Sequence, residues 1–284
     1  MRGVDLLAGA VQHLAGMAAG LLGLAAFVAV STTHPAGPAS AGEPEKTRLL
    51  VACAASAIDA MTEITTSFEA ETGVGVDITQ GSSGKFFAQI SHGAPFDIYF
   101  SADDEYPAKL ENARLTSMRK RYARGRIVLW ALADAPFDIR KGLSVLAEPG
   151  VGKIAVANPR VAPYGRAAIE AFQHAAIQHE IRPKLVTGEN ISQTAQFVES
   201  GAADIGVLSL SVALSPRMAG KGKYWMIPSQ VHKPIDADVV VLARSKKQAL
   251  ARRFLEFATS DEAEAIWVRY GLHDPGDALA PTGS

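Results

Sequence analysis

Ser56 and Ser83 are the residues of this chain best placed to do chemistry. Each stands where a short apolar strand gives way to a helix. The first segment reads Leu49-Leu50-Val51-Ala52-Cys53-Ala54-Ala55-Ser56, and the second Val76-Asp77-Ile78-Thr79-Gln80-Gly81-Ser82-Ser83-Gly84. A helix N-terminus presents N–H groups without intrahelical partners and a partial positive charge. A serine at that place adds a hydroxyl donor. Two such turns facing each other would hold a small oxyanion without any charged side chain. The competing chemistry is nucleophilic attack by one of the hydroxyls. Neither serine lies in Gly-x-Ser-x-Gly, and no His/Asp partner is nominated by the sequence. Taken singly, each serine is also an ordinary helix cap, and Ser56 with Asp59 has the Ser-x-x-Asp form of a capping box.

The surrounding elements decide whether these turns can meet. From about residue 46 the chain alternates strand and helix patterns. Strands are expected at 48–54, 75–79, 98–101, 126–131, 153–157, 184–186, 205–208, 224–226 and 237–243. The helix after Ser56 repeats Ile58, Met61, Ile64 and Phe68 at spacings of three and four, and Gly73 ends it. Further helices are expected at 85–91, up to Asn112 behind Asp103 and Asp104, at 166–179, 190–200, 246–259 and 261–270. Strands separated by helices imply parallel sheet, and nine of them fit two lobes better than one. The late apolar strand at 237–243 is expected to return to the first lobe. A ligand then lies in the cleft between lobes, at strand carboxyl ends.

Bulk properties narrow the function classes. The chain has 284 residues, 48% hydrophobic and 20% charged, with a formal net charge of −1. No basic stripe points to nucleic acid. With so little net charge, an anion would be drawn by local dipoles rather than by the field of the whole protein. Residues 1–41 carry only Arg2 and Asp5 as charges, with an apolar run from Leu14 to Val30 and then Ala39-Ser40-Ala41, a small-x-small triplet. That pattern is an export signal cut after Ala41, giving a periplasmic mature chain. The alternative, a retained anchor, has a run at the short limit for spanning a membrane. The single cysteine, Cys53, excludes an internal disulfide and lies inside the first strand, where it reads as a small buried apolar residue. His174 and His179 have no second pair to complete a metal site.

Six stretches, in order, resemble the periplasmic molybdate-binding proteins of ABC importers. They are Ala52-Cys53-Ala54-Ala55-Ser56-Ala57-Ile58-Asp59-Ala60; Gly81-Ser82-Ser83-Gly84-Lys85 with Gln89-Ile90; Gly93-Ala94-Pro95-Phe96-Asp97-Ile98-Tyr99-Phe100-Ser101-Ala102-Asp103; Ala157-Asn158-Pro159 with Ala162-Pro163-Tyr164-Gly165-Arg166-Ala167-Ala168; Glu189-Asn190-Ile191-Ser192-Gln193; and Ala203-Asp204-Ile205-Gly206-Val207. The stretches run from Ala52 to Val207, and the resemblance covers about residues 48–272. The resemblance implies an α/β, two-lobed type II periplasmic-binding-protein fold, each lobe a mainly parallel sheet flanked by helices. Lobe one would be 42–126 and 236–284, lobe two 127–235, with hinges near 124–127 and 231–238. It implies molybdate, and tungstate as well, as ligand, an ABC-importer permease as partner, a monomer, no cofactor, no catalytic residue and no cation-binding residue. Carried over by motif, Ser56 and Ser83 give hydroxyl and N–H donors, and Tyr164 and Ile191 give backbone N–H groups. Ser82 is a further candidate. Some relatives place a tyrosine hydroxyl after Gly-apolar-apolar; here that position is Ser209, a shorter donor.

The residues themselves agree with a donor-only site. A fully ionised tetrahedral dianion has no proton to donate, whereas a carboxylate acceptor would select protonated phosphate. No carboxylate stands within the two serine turns, and Asp59 lies one turn into its helix. Lys85 reads as a solvated lysine, Arg166 as the partner of an acid, and Asp97 and Asp103 as a strand aspartate and a helix cap. Other classes remain open: the same fold binding sulfate, thiosulfate, phosphate or ferric ion, a serine hydrolase, or the ligand domain of a transcription factor. The export signal of this chain and its lack of a helix-turn-helix segment argue against the last.

Overall fold

The computed structural model describes residues 48–273; the export signal expected at 1–41 lies outside the described residues. In chain order the elements are β1 (Arg48–Ala54), α1 (Ile58–Thr72), β2 (Gly75–Gly81), α2 (Ser83–Ser91), β3 (Ile98–Phe100), α3 (Glu105–Asn112), β4 (Thr116–Gly125), β5 (Ile127–Leu132), β6 (Ile154–Ala157), α4 (Pro163–His174) and α5 (Gln178–Ile181). There follow β7 (Leu185–Gly188), α6 (Ile191–Glu199), β8 (Ile205–Ser209), α7 (Leu210–Ala213), β9 (Gly222–Met226), β10 (Ile235–Leu242), α8 (Gln248–Ala258) and α9 (Asp261–Arg269). Short 3-10 turns at Ala55–Ala57, Ile139–Ala147, Arg182–Lys184 and Ser229–Val231 join them.

Two five-stranded sheets organise these elements, ordered β2-β1-β3-β10-β4 and β7-β6-β8-β5-β9. The first belongs to lobe one and the second to lobe two. Both are mixed rather than mainly parallel. In the first, β1 pairs in parallel with β2 and β3, while β10 runs antiparallel to β3 and β4. In the second, β6 is parallel to β7 and β8, while β5 is antiparallel to β8 and β9. The antiparallel half of each sheet arises where the chain changes lobe. β4 leads straight into β5 in the other sheet, and β10 returns to the first, as the late apolar strand foretold.

Alternation along the strands builds the core of lobe one. Leu49, Val51, Cys53, Ile98, Phe100, Val239 and Val241 face α1, α8 and α9. The intervening residues Ala52, Tyr99, Val240 and Leu242 face α2 and α3 on the other side. A period of two sends successive side chains to opposite faces, so a central strand covered twice is apolar throughout. The core of lobe two gathers Ile127–Ala131, Ile154–Ala157, Ile205, Val207 and Leu208 against α4 and α6.

Three elements depart from the sequence expectation. β4, Thr-Ser-Met-Arg-Lys-Arg-Tyr-Ala-Arg-Gly, is a sheet-edge strand whose charged residues hide the strand pattern. Its Arg119, Arg121 and Arg124 pair with Asp236 and Asp238 of β10. The helix expected at 166–179 breaks into α4 and α5 around Ala176, which has φ 56°. Finally, Ser56 caps no helix: it lies within a 3-10 turn, and α1 begins at Ile58 behind Ala57.

Candidate functional site

Four helix starts converge between the lobes. The 3-10 turn leading into α1 and the start of α2 come from lobe one; the starts of α4 and α6 come from lobe two. They enclose a cavity of ≈ 210 Å³, including its opening to solvent, whose wall contains Ser56, Ser82, Ser83, Tyr164, Asn190 and Ile191. Five of the six candidate residues therefore share one wall. Ser209 is not in that wall. Its hydroxyl caps α7, accepting from the Val212 N–H (3.2 Å), and lies 3.0 Å from the Ser211 hydroxyl.

The lobe-one serines are positioned by the strands they follow. β1 and β2 are in register from Arg48↔Gly75 to Ala54↔Gly81, so their ends, and the turns beyond them, lie side by side. Ser83 is buried, and its hydroxyl oxygen accepts the Ala102 N–H at 2.9 Å while its carbonyl accepts from the Tyr99 hydroxyl at 2.9 Å. An oxygen that accepts still has its own proton to donate. Ser82 occupies the N-cap of α2 with extended backbone, yet its side chain makes no capping bond. Its hydroxyl is buried without a hydrogen-bond partner. A buried polar group left so costs about 1–3 kcal/mol, which a ligand acceptor would relieve.

Lobe two brings two helix starts to the wall. Pro163 stands at the start of α4, where its missing N–H is no loss, and Tyr164 follows it. Gly165 lets this helix approach β6 closely, since a Cβ there would fall 2.1 Å from the Ala157 carbonyl oxygen. At α6, Asn190 is the N-cap and accepts the Gln193 N–H at 3.1 Å, leaving Ile191 as the first helical residue. The Tyr164 ring is buried, and its hydroxyl lies where a Cβ on Gly125 would be only 2.2 Å away. Burial pushes this phenol up to about 12, with Ser56 and Ser211 hydrogen bonding in the opposite sense.

The electrostatics are those of dipoles. Among the described residues, the wall holds no carboxylate, lysine, arginine or histidine. The tempting cations are engaged elsewhere. Lys85 pairs with Glu189, and Arg166 pairs with Asp103. Asp97 ties β1 to the C-terminal segment, accepting from the Leu50 N–H (2.9 Å), the Ser245 hydroxyl (2.6 Å) and Lys247 (3.0 Å). Among the described residues no cluster of His, Cys, Asp and Glu could hold a metal ion, and no helix is long and apolar enough to cross a membrane. Burial raises the Cys53 thiol far above the usual cysteine range, as an inert core group requires.

Two supports of the site leave no mark in the sequence. Ser211 donates to the Ser56 carbonyl at 2.7 Å, and Ser192 approaches the Ala55 carbonyl at 3.4 Å. Both reach across from lobe two, and no local pattern marks a serine whose partner is so distant along the chain.

Fold and cavity together define a two-lobed solute-binding protein. Residues 49–273 match the sequence family described as bacterial extracellular solute-binding protein. The molybdate-binding protein of Rhodobacter capsulatus is 36% identical over 238 residues, covering 82% of this chain and 89% of that protein. The solved structure of the Azotobacter vinelandii periplasmic molybdate-binding protein superposes with a TM-score of 0.75 at 30% identity, over 82% of this chain and all of that one. A sulfate-binding protein from Mycobacterium tuberculosis shares the fold at 17% identity and a TM-score of 0.68, over 80% of this chain and 86% of that one. The chain belongs to the bacterial extracellular solute-binding proteins, in the group that includes these molybdate-binding relatives.

Proposed function

We propose that this protein is an extracytoplasmic receptor that captures molybdate, and tungstate with it, between its lobes and delivers it to the permease of an ABC importer. The observation that carries the reading is the Ser82 hydroxyl, buried and unpartnered in a wall that offers donors and no charged side chain. Ser56 and Ser83 donate hydroxyls, and Tyr164 and Ile191 donate backbone N–H groups, with Ser82 completing the set. Ser209 stands apart from it. The chain performs no catalysis and needs no cofactor in this account. It acts as a periplasmic monomer after removal of residues 1–41. Lobe one comprises 42–126 and 236–284, lobe two 127–235, and closure turns on the two crossovers.

Selectivity follows from chemistry and size. A wall of donors disfavours an anion that must donate a proton, because no carboxylate is there to accept it. A smaller dianion such as sulfate cannot reach every donor, and each hydrogen bond it fails to make weakens binding by about 1–3 kcal/mol. Calorimetric titration of the chain from Gly42 with molybdate, tungstate, sulfate and phosphate tests this. Binding of the first two with silence from the others is the expected result. Tight sulfate or phosphate binding would move the protein to another uptake system. Failure of all four would overturn the oxyanion reading.

A further inference from the structure

Arg166 lies in the first turn of α4, two residues beyond Tyr164, but it points away from the cavity wall and into lobe one. Its guanidinium pairs with the Asp103 carboxylate, reaches the Tyr106 hydroxyl at 3.3 Å and Glu105 at 3.6 Å, and lies 5.4 Å from the centre of the Tyr106 ring. The Asp103 side chain is 8% exposed and that of Arg166 30%. Opening the lobes would separate the two and lose their attraction, which the partial burial of both groups strengthens while the lobes are together.

The pair is also joined to the anion site. The other Asp103 oxygen accepts from the Ser101 hydroxyl at 2.9 Å; Ser101 is 2.9 Å from the Tyr99 hydroxyl, which donates to the Ser83 carbonyl at 2.9 Å. From the same segment, the Ala102 N–H donates to the Ser83 hydroxyl at 2.9 Å. Ser83 is thus held at its carbonyl and its hydroxyl by residues 99–102, which end on the carboxylate that grips Arg166. Beside the pair, the Gly84 N–H donates to the Val161 carbonyl at 2.8 Å across the lobes. A Cβ on Gly84 would come within 2.9 Å of the Val161 backbone, so this approach requires glycine.

We propose that the Asp103–Arg166 pair is a positioning latch that couples lobe closure to the setting of Ser83, strengthening oxyanion retention without touching the ligand. The proposal rests on the oxyanion reading above. Because Asp103 neutralises Arg166, the arginine is no counter-ion for the ligand. Its effect runs through the fraction of molecules that are closed, and apparent affinity falls in proportion to that fraction.

The test compares wild type with Arg166→Gln, Asp103→Asn and Arg166→Lys. Molybdate dissociation rates are measured by competitive displacement. Distances between spin labels, one on each lobe, are measured without ligand. Arg166→Gln and Asp103→Asn are expected to release molybdate about tenfold faster and to shift the ligand-free distances to longer values, with Arg166→Lys recovering part of both. In a Ser83→Ala background the effect of Arg166→Gln should shrink. A purely structural pair would lower the melting temperature and leave rate and distance alone. Folded Arg166→Gln and Asp103→Asn proteins with wild-type release and wild-type distances would overturn the latch. If the wild type binds no molybdate, the oxyanion reading fails, and the ligand-free distances alone decide the latch: longer in Arg166→Gln supports it, unchanged overturns it.

Discussion

The two lobes bring different chemistry to one cavity. Lobe one presents hydroxyls, Ser56, Ser82 and Ser83, on turns that follow two parallel strands in register. Lobe two presents residues at the starts of two helices, Tyr164 and Ile191, whose proposed contribution is the backbone N–H. Capping differs in the same sense. The lobe-two helix α6 is capped by Asn190, whereas the lobe-one helix α2 has Ser82 at its N-cap with the hydroxyl unengaged. A side chain that caps its own helix has satisfied itself. One that does not remains available to a ligand and leaves the free protein less stable. Lobe one therefore carries an unmet hydrogen bond that a ligand relieves, and lobe two carries fixed dipoles.

This contrast can be broken or sharpened by substitution. The largest effect is expected at Ser83, where alanine removes a donor to the anion and also orphans the Ala102 N–H. Molybdate affinity should fall by about 3 kcal/mol in titration calorimetry, since hydrogen bonds to charged groups are the strong ones. Next comes Ile191→Pro, which deletes an N–H at a first helical position that tolerates proline. Asn190 already has the extended backbone (φ −146°, ψ 179°) that a following proline prefers. A loss of about 2 kcal/mol with unchanged helical circular dichroism would locate a donor in the lobe-two backbone; full affinity would remove it. Ser56→Ala should weaken binding by about 1–3 kcal/mol and leave the fold intact, as read by calorimetry beside a melting curve.

Ser82→Ala separates the two lobes most sharply, because its two effects have opposite signs. Binding should weaken, while the ligand-free protein should gain up to about 1 kcal/mol in denaturant unfolding as the orphaned hydroxyl disappears. Loss of stability on that substitution would mean that the hydroxyl has a partner of its own. The smallest effect concerns pH. Serine hydroxyls and backbone N–H groups do not titrate near neutrality, and the Tyr164 phenol is pushed up to about 12. Proton uptake on binding is then zero, so affinity should be level from about pH 6 to 9. A slope in that window would place an ionisable group against the ligand.

Much of this was legible in the residues. The apolar strands, the Gly73 stop and the serines at strand ends follow from periodicity and local turn chemistry, which act over a few residues. The fate of Arg166 was legible in kind, as an acid's partner, but not in address. What escaped was non-local or disguised. β4 looks like a charged loop because an edge strand needs no apolar face on its outer side. The split at Ala176 is imposed by packing against propensity. Ser56 reads as a cap from its spacing to Asp59, yet the chain makes a 3-10 turn there and starts the helix two residues later. The strand mixture was hidden too, because strand direction depends on where the chain crosses between lobes and not on any single segment.

The oxyanion reading fixes a place: an ion held by lobe-one hydroxyls and lobe-two backbone at once. A crystal structure of the chain from Gly42 grown with molybdate tests it most directly, using the anomalous signal of the metal. One tetrahedral ion is expected in the cavity, with oxygens in hydrogen-bond reach of Ser56, Ser82, Ser83 and the N–H groups of Tyr164 and Ile191. An ion seated elsewhere, or against Lys85 or Arg166, would contradict it.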